Sequence, residues 1–327
     1  MDYRLEILLK GHILNPFWHS RMERRTRRGE VTAAAVERYL SKYIPFIQNL
    51  KPPGPSPDGA SSPCVSPSHP CGPKDLCEPS DPQDPCCPCA NRIFSIWLQG
   101  EAKAPAVAQA CWRSVRANCP ETLVILDADS LDKWIELPDY VQQKYRSGAM
   151  RPAHYADICR LALLVKYGGL WLDATDFVPQ AFPQWLWNCD FFIHMSGKRL
   201  FGWYSYVQNC FIRASRGNFL IWAWYELVLE YWRHEDKVAD YFVHQLLFKM
   251  LVTHNELARK EFESMPKVCQ DPTHEIWFGH GNDAFDSVSW EKMASAALFQ
   301  KTEYKSKMAS APIPGSNAEH LILSYPK

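Results

Sequence analysis

Five residues near the middle of the chain have the types and spacing to do chemistry together. Asp157 and Arg160 stand three apart, which puts them on one face if their segment is a helix. Asp173, Thr175 and Asp176 come after a glycine pair and the short apolar run Leu170-Trp171-Leu172. Carboxylates at the end of a buried strand suit a hard divalent cation, and such a cation can hold a diphosphate and neutralise its charge as it departs. A charged pair in an apolar helix must be satisfied in some way. It is either an ion pair that fixes the helix in place or a contact for a ligand with hydroxyls and phosphates.

The elements that must position these residues are legible nearby. Residues 154–167 are too apolar for a surface helix and do not alternate like a strand, so they predict a buried helix with Ile158, Leu161, Ala162 and Val165 as its core stripe. Gly168-Gly169 ends it, the first glycine being suited to a left-handed position after the last turn. Simple alternation along the strand that follows sends Asp173 and Thr175 to one side and Asp176 to the other.

Upstream, residues 92–98 read as a buried strand running into a Gln99-Gly100 turn. A helix over 105–117, a second strand over 123–126 and a surface-like helical stretch over 130–147 follow. This rhythm predicts a parallel-type α/β sheet, whose ligands sit beyond the carboxyl ends of the strands, where Gln99, Asp127 and Asp173 project. Downstream, residues 191–194 and 209–213 read as strands and 219–232 as a long apolar helix. Asp240 sits where a carboxylate would cap the next helix, and His244 one turn on reads as a packing residue. Lys301, Lys305 and Lys307 form a cationic tail, and after Pro312 the chain is expected to be irregular.

The remaining segments are less specific. Residues 1–50 predict an amphipathic helical segment, with Pro45 disturbing its last turn. Arg21, Arg24, Arg25, Arg27 and Arg28 form either a solvated face or a peripheral contact with an anionic membrane or an acidic acceptor. Residues 51–90 are dense in proline and carry Cys64, Cys71, Cys77, Cys86, Cys87 and Cys89 without paired zinc-ligand spacing, so they read as a disordered insert. The scattered cysteines, such as Cys159, read as small buried hydrophobes. Lys plus Arg equals Asp plus Glu at 36 each, which offers no argument for nucleic acid. No run is apolar and long enough to span a membrane and no secretory signal shape opens the chain, so a cytoplasmic protein, possible peripheral contact aside, is expected.

The strings HYADICRLALLVKYGGLWLDAT, IFSIWLQGEAKAPAVAQACWRSVRANCP, LEYWRHEDKVADYFVHQLLF and ALFQKTEYK together carry a resemblance. They resemble the capsular polysaccharide synthesis protein family, whose members show an S/A-D-x-x-R helix followed by GG-x-W-x-D-A-T. The spacing of Asp157, Arg160 and Asp173 is also similar to that of DXD-type sugar-binding glycosyltransferases of family 32 and of clostridial glucosylating toxins. The resemblance implies a GT-A-type, Rossmann-like nucleotide-diphospho-sugar transferase over residues 91–311, with an N-terminal helical segment before it and a tail over 312–327. It implies that Asp157 and Arg160 contact the donor sugar and diphosphate, that Asp173 binds metal and ribose, that Asp240 faces the reacting sugar, and that Lys301 and Lys305 close over the diphosphate. Gln99 is expected to be the donor-facing residue of the first turn. A divalent ion, Mn²⁺ or Mg²⁺, is expected on Asp173, Thr175 and Asp176. The second acidic position of the DXD is Thr175, so coordination through Thr175, through a twisted-in Asp176 or through Asp173 alone stays open. The function implied is transfer of a sugar, with retention of anomeric configuration, from a nucleoside diphosphate donor to a hydroxyl of a saccharide or polysaccharide precursor. The alternative is a non-catalytic sugar-nucleotide-binding or adaptor protein on the same fold.

Overall fold

The computed structural model describes residues 21–53, 91–197 and 206–325. The proline- and cysteine-rich insert therefore lies almost wholly outside the described residues. The same is true of the side chains of residues 21–30, and with them all five arginines of the basic face.

The described residues open with α1 (Arg21–Leu40), a single 3-10 turn at Ser41–Tyr43, and α2 (Ile44–Asn49). Pro45 sits in the first turn of α2, where its missing N–H costs nothing, so it starts a helix instead of disturbing one. The α/β part then runs β1 (Arg92–Ile96), α3 (Ala106–Asn118), β2 (Thr122–Leu126), α4 (Leu131–Trp134), α5 (Asp139–Arg146), α6 (Pro152–Tyr167) and β3 (Gly169–Leu172). The single helix expected over 130–147 is two, parted before Pro138, and it is not surface-like, because Leu131, Trp134 and Val141 are buried.

After β3 come β4 (Asp176–Phe177), α7 (Gln184–Asn188), β5 (Phe191–Met195), β6 (Val207–Ala214), α8 (Phe219–His234), α9 (Val243–His254) and α10 (Glu256–Ser264). The chain closes with α11 (Ser287–Ser295), β7 (Gln300–Lys301), α12 (Lys307–Ser310) and α13 (Asn317–Leu323). The last helix departs from the irregular tail expected after Pro312. Ser316 accepts the Glu319 N–H and caps it, and Ala318 and Leu321 are buried.

The main sheet has strand order β2-β1-β3-β6-β5. Strands β1, β2 and β3 run parallel, while β6 is antiparallel to both β3 and β5. This is the α/β sheet with an N-terminal helical segment that the residues predicted, in the GT-A-type fold that the resemblance implied. The register explains the core. Phe94 lies opposite Trp171 and Trp171 opposite Ile212, on the face covered by α6, α8 and α9. Ile93, Leu170, Leu172 and Phe211 alternate onto the other face, against Val115 of α3 and Phe192 of β5. Each such buried side chain contributes about 1.5–3 kcal/mol. A separate two-stranded ribbon pairs β4 with β7, Asp176 opposite Lys301.

The N-terminal helices belong to the first of these cores. Val36, Leu40, Tyr43, Ile47 and Leu50 are buried in one cluster with α8 and α9. Asn255 donates to the carbonyls of Ile47 and Leu50 at 2.9 and 3.0 Å while its oxygen caps α10. The cysteines outside the insert are all unpaired, and Cys111, Cys119, Cys159 and Cys210 are buried, as small apolar side chains would be. Among the described residues no helix is long and apolar enough to cross a membrane.

Candidate active site

Helix α6 begins with Pro152 in its first turn and stops at Gly168, whose φ of 67° ends the helix after its N–H bonds Leu164 O. Gly169, at φ 103°, then starts β3 in contact distance of the Arg92 backbone. This tight return folds the end of β3 back beneath Asp157 and Arg160. The Arg160 guanidinium lies 3.2 Å from Asp157 Oδ1 and 3.3 Å from Asp173 Oδ1, and stands 4.9 Å over the Trp171 ring. Trp171 Nε1 donates to the same Asp173 oxygen at 2.9 Å.

Two residues that sequence reasoning missed complete the cluster. Asn209 of β6 donates to Asp157 Oδ1 at 3.0 Å, and Gln245 of α9 donates to Asn209 Oδ1 at 3.1 Å. His154 Nδ1 lies 3.5 Å from Asp157 Oδ2, long for a hydrogen bond. His244 is buried behind them, its ring 4.3 Å from Trp224, and neither of its ring nitrogens finds a hydrogen-bond partner. Its packing role is as expected.

These groups line a cleft of about 290 Å³ at the carboxyl ends of β1 and β3. Trp97, Tyr241, Tyr304 and Lys305 form much of its remaining wall, with the Trp97 and Tyr304 rings edge to face at 5.2 Å. A larger depression of about 770 Å³ lies beside Glu101, Arg113 and Tyr325, but it gathers no comparable set of acids and donors. Volume is therefore a poorer guide here than convergent polar groups.

The electrostatics are those of a paired interior. Burial opposes ionisation of Asp157, but His244, Arg160 and His154 outweigh it and hold the carboxyl well below the usual range. Asp173 is likewise held below its ordinary value, burial being overcome by Lys301 and Arg160. Burial pushes Asp176 up to about 7 against the pull of Lys301. His244 is pushed down to about 3 by burial.

The expected site residues are not all placed together. Asp157, Arg160, Asp173, Thr175 and Lys305 line the cleft, and Lys301 closes the back of the acidic turn. Gln99 is exposed in the turn after β1 and does not line the cleft, where Ile96 and Trp97 stand instead. Asp240 also stands outside the lining; its carboxylate accepts the Phe242 N–H at 2.8 Å, capping the two-residue turn that leads into α9. Alternation fails for Asp176. Strand β3 ends at Leu172, the Asp176 N–H turns back to the Asp173 carbonyl at 3.1 Å, and the Asp176 side chain arrives on the same cation as Asp173.

That cation is Lys301. Its Nζ lies 3.0 Å from Asp173 Oδ2, 3.0 Å from Thr175 Oγ1 and 2.9 Å from Asp176 Oδ1. The three oxygens expected to hold a divalent ion thus converge, but their spacing and occupancy fit an ammonium. Among the described residues no group of three or more His, Cys, Asp or Glu converges as a metal set.

An α/β sheet of this topology, with an acid–arginine cluster at its carboxyl edge, defines a chain of the GT-A type. Residues 77–318 match the model of the capsular polysaccharide synthesis protein family, and the chain belongs to that family. It is similar to an O-glycosyltransferase, braB, of Annulohypoxylon truncatum, 29% identical over 48% of this chain and 41% of that protein. It is similar also to a glycosyltransferase, afumC, of Aspergillus fumigatus, 28% identical over 48% of this chain and 44% of that one. The matched stretch spans less than half the length of either relative. A solved structure, the PaToxG glycosyltransferase, superposes with a TM-score of 0.36 at 13% identity, covering 91% of this chain and 98% of its own.

Proposed function

We propose that this chain transfers a sugar from a nucleoside diphosphate donor to a hydroxyl of a saccharide or polysaccharide precursor, with retention of anomeric configuration. The observation that carries the reading is the linked set Asp157, Arg160 and Asp173 in an open cleft at the carboxyl edge of the sheet. The relatives' own names support it.

Each group has a role its chemistry suits. The second oxygen of Asp157 and the amides of Asn209 and Gln245 suit sugar hydroxyls, which both donate and accept. Arg160 offers a fixed fork of donors to phosphate oxygens, and Lys305 offers charge from the opposite wall. In the reaction proposed, the bond from the anomeric carbon to the diphosphate oxygen breaks through an oxocarbenium-like transition state. The acceptor oxygen bonds the same carbon from the same face, and its proton passes to the departing phosphate oxygen. Arg160 stabilises the charge growing on that oxygen.

A panel of nucleotide sugars and saccharide acceptors, read by mass spectrometry, tests the proposal. Sugar transfer or donor hydrolysis that disappears in Asp157→Asn is the expected result. Neither binding nor turnover across the panel would overturn it. The non-catalytic reading on the same fold draws on Lys301, which takes up both carboxylates of the acidic turn. Donor binding with no turnover or hydrolysis would establish that reading instead.

A further inference from the structure

The acidic turn after β3 holds a cation supplied by the chain itself. An ammonium has three N–H donors, and Lys301 directs them at three oxygens, those of Asp173, Thr175 and Asp176. The lysine is not carried on a loose tail. Its backbone pairs with Asp176 in the β4–β7 ribbon. Next to it, the Thr302 N–H and hydroxyl both donate to the Thr175 carbonyl, at 2.8 and 2.9 Å. On the other side Gln300 is fully buried, its amide donating to the carbonyls of Pro272 and Met293 and accepting from the Ile276 N–H. Fixed backbone on both sides therefore aims the Lys301 side chain into the turn.

A divalent ion has no such room. Mg²⁺ takes carboxylate oxygens at about 2.0–2.1 Å and demands near-octahedral surroundings. To use Asp173 and Asp176 it must expel the ammonium or share both carboxylates with a positive charge beside it. Expulsion would leave Lys301, only 17% exposed at its side chain, without its partners.

We propose that Lys301 is the resident cation of this turn, standing where a divalent ion would stand, and that the site receives its ligand without a bound metal. Naming that ligand a nucleoside diphosphate rests on the sugar-transfer reading; the exclusion of the metal does not. The single charge of Lys301 offsets half of that on Asp173 and Asp176, so an anionic diphosphate approaching Arg160 and Lys305 is repelled less by the acidic pair.

Mn²⁺ alone, titrated into the full chain, provides the test, with bound ion read by electron paramagnetic resonance and by quenching of tryptophan fluorescence near Trp171. The wild type is expected to bind no stoichiometric Mn²⁺. Lys301→Met uncovers the two carboxylates and is expected to bind one Mn²⁺ at least about tenfold more tightly than the wild type. That gain should vanish in Lys301→Met/Asp173→Asn. A wild-type site that binds Mn²⁺ and loses it in Asp173→Asn overturns the proposal, as does a folded Lys301→Met chain that gains none. Should Lys301→Met fail to fold, the melting temperature of the wild type in Mn²⁺ against EDTA decides. No shift supports the proposal, and a saturable rise abolished by Asp173→Asn overturns it. Failure of the sugar-transfer reading would appear as absent donor binding and leave these metal measurements unchanged.

Discussion

Arg160 and Asp173 meet at 3.3 Å across the junction of α6 and β3, and the same guanidinium nitrogen holds Asp157 at 3.2 Å. One planar cation therefore ties the helix to the strand end. Its other terminal nitrogen donates to the Asn209 carbonyl, and lysine, a point charge on a flexible stem, cannot reproduce that fork. Arg160→Lys is expected to lower kcat/KM by about a hundredfold, roughly 2.7 kcal/mol, and to do little better than Arg160→Ala. Steady-state kinetics with a donor identified from the panel, on variants whose circular dichroism matches the wild type, checks this. A Lys variant within a few-fold of wild type would reduce Arg160 to a bearer of charge.

Asn209 is the link between Asp157 and Gln245. Asn209→Ala removes both bonds and leaves two partly buried polar groups short of a partner, at a cost of about 1–3 kcal/mol. Because both partners face the cleft, the loss should appear in donor binding. A rise of roughly tenfold or more in the donor dissociation constant is expected, measured by calorimetry. An unchanged constant with a lowered melting temperature would make Asn209 structural only.

Gly168 and Gly169 set the return from α6 to β3, and each should resist substitution for two reasons at once. Their φ angles are positive, and an added Cβ would fall 2.5 Å from Arg216 N at Gly168 and 2.6 Å from Arg92 O at Gly169. Alanine at either is expected to destabilise the protein by about 2 kcal/mol or more, in chemical or thermal unfolding. Gly217, with φ 82° and open space around it, is the control. Alanine there carries only the backbone strain, about 1–2 kcal/mol.

His244 makes the fold sensitive to acid. Its folded pKa lies near 3, below the ordinary value of 6.5, so between those limits the unfolded chain binds the extra proton. Stability is therefore fully present above about pH 6.5 and lost as the pH falls toward 3, with a slope of at most about 1.4 kcal/mol per pH unit for one proton. Asp176, raised to about 7, works in the opposite sense over part of this window, since its carboxyl is protonated more readily in the folded state. Comparing wild type with His244→Phe cancels that contribution. The melting temperature of His244→Phe should fall less between pH 6.5 and 4.5, and parallel profiles would remove His244 as a cause.

The local half of the site was readable in the residues. Asp157, Arg160 and Asp173 are placed by one helix, one glycine stop and one short strand, and each of those has its own signal within a few positions. The partners from elsewhere carry none. Asn209 is one polar residue near the start of a strand, and Gln245 is one of several polar positions on its helix, beside His244 and Lys249, so neither reveals what it faces. The sequence marks Lys301 only as part of a closing tail; its anchoring to a turn 125–128 residues away depends on the β4–β7 pairing, which a two-residue strand does not announce. Asp176 departs from the alternation expected of it because the strand ends at Leu172 and a period of two does not extend past that end. Gln99 and Asp240 show the converse: residues well placed along the chain can stand outside the cleft once the turn and the helix start are fixed.

The packing of α1 and α2 also separates two boundaries that are easily taken as one. The family match begins at residue 77, yet Glu37 pairs with Lys249 at 2.5 Å, and Tyr39 and Tyr43 both hydrogen-bond Glu235. Lys249 lies one turn along α9 from Gln245, which reaches into the cleft. A chain trimmed to its recognisable region would keep every expected site residue and lose the outer support of the helix that carries Gln245. The limits of homology and the limits of cooperative folding do not coincide in this protein. Recombinant fragments should be cut by the second.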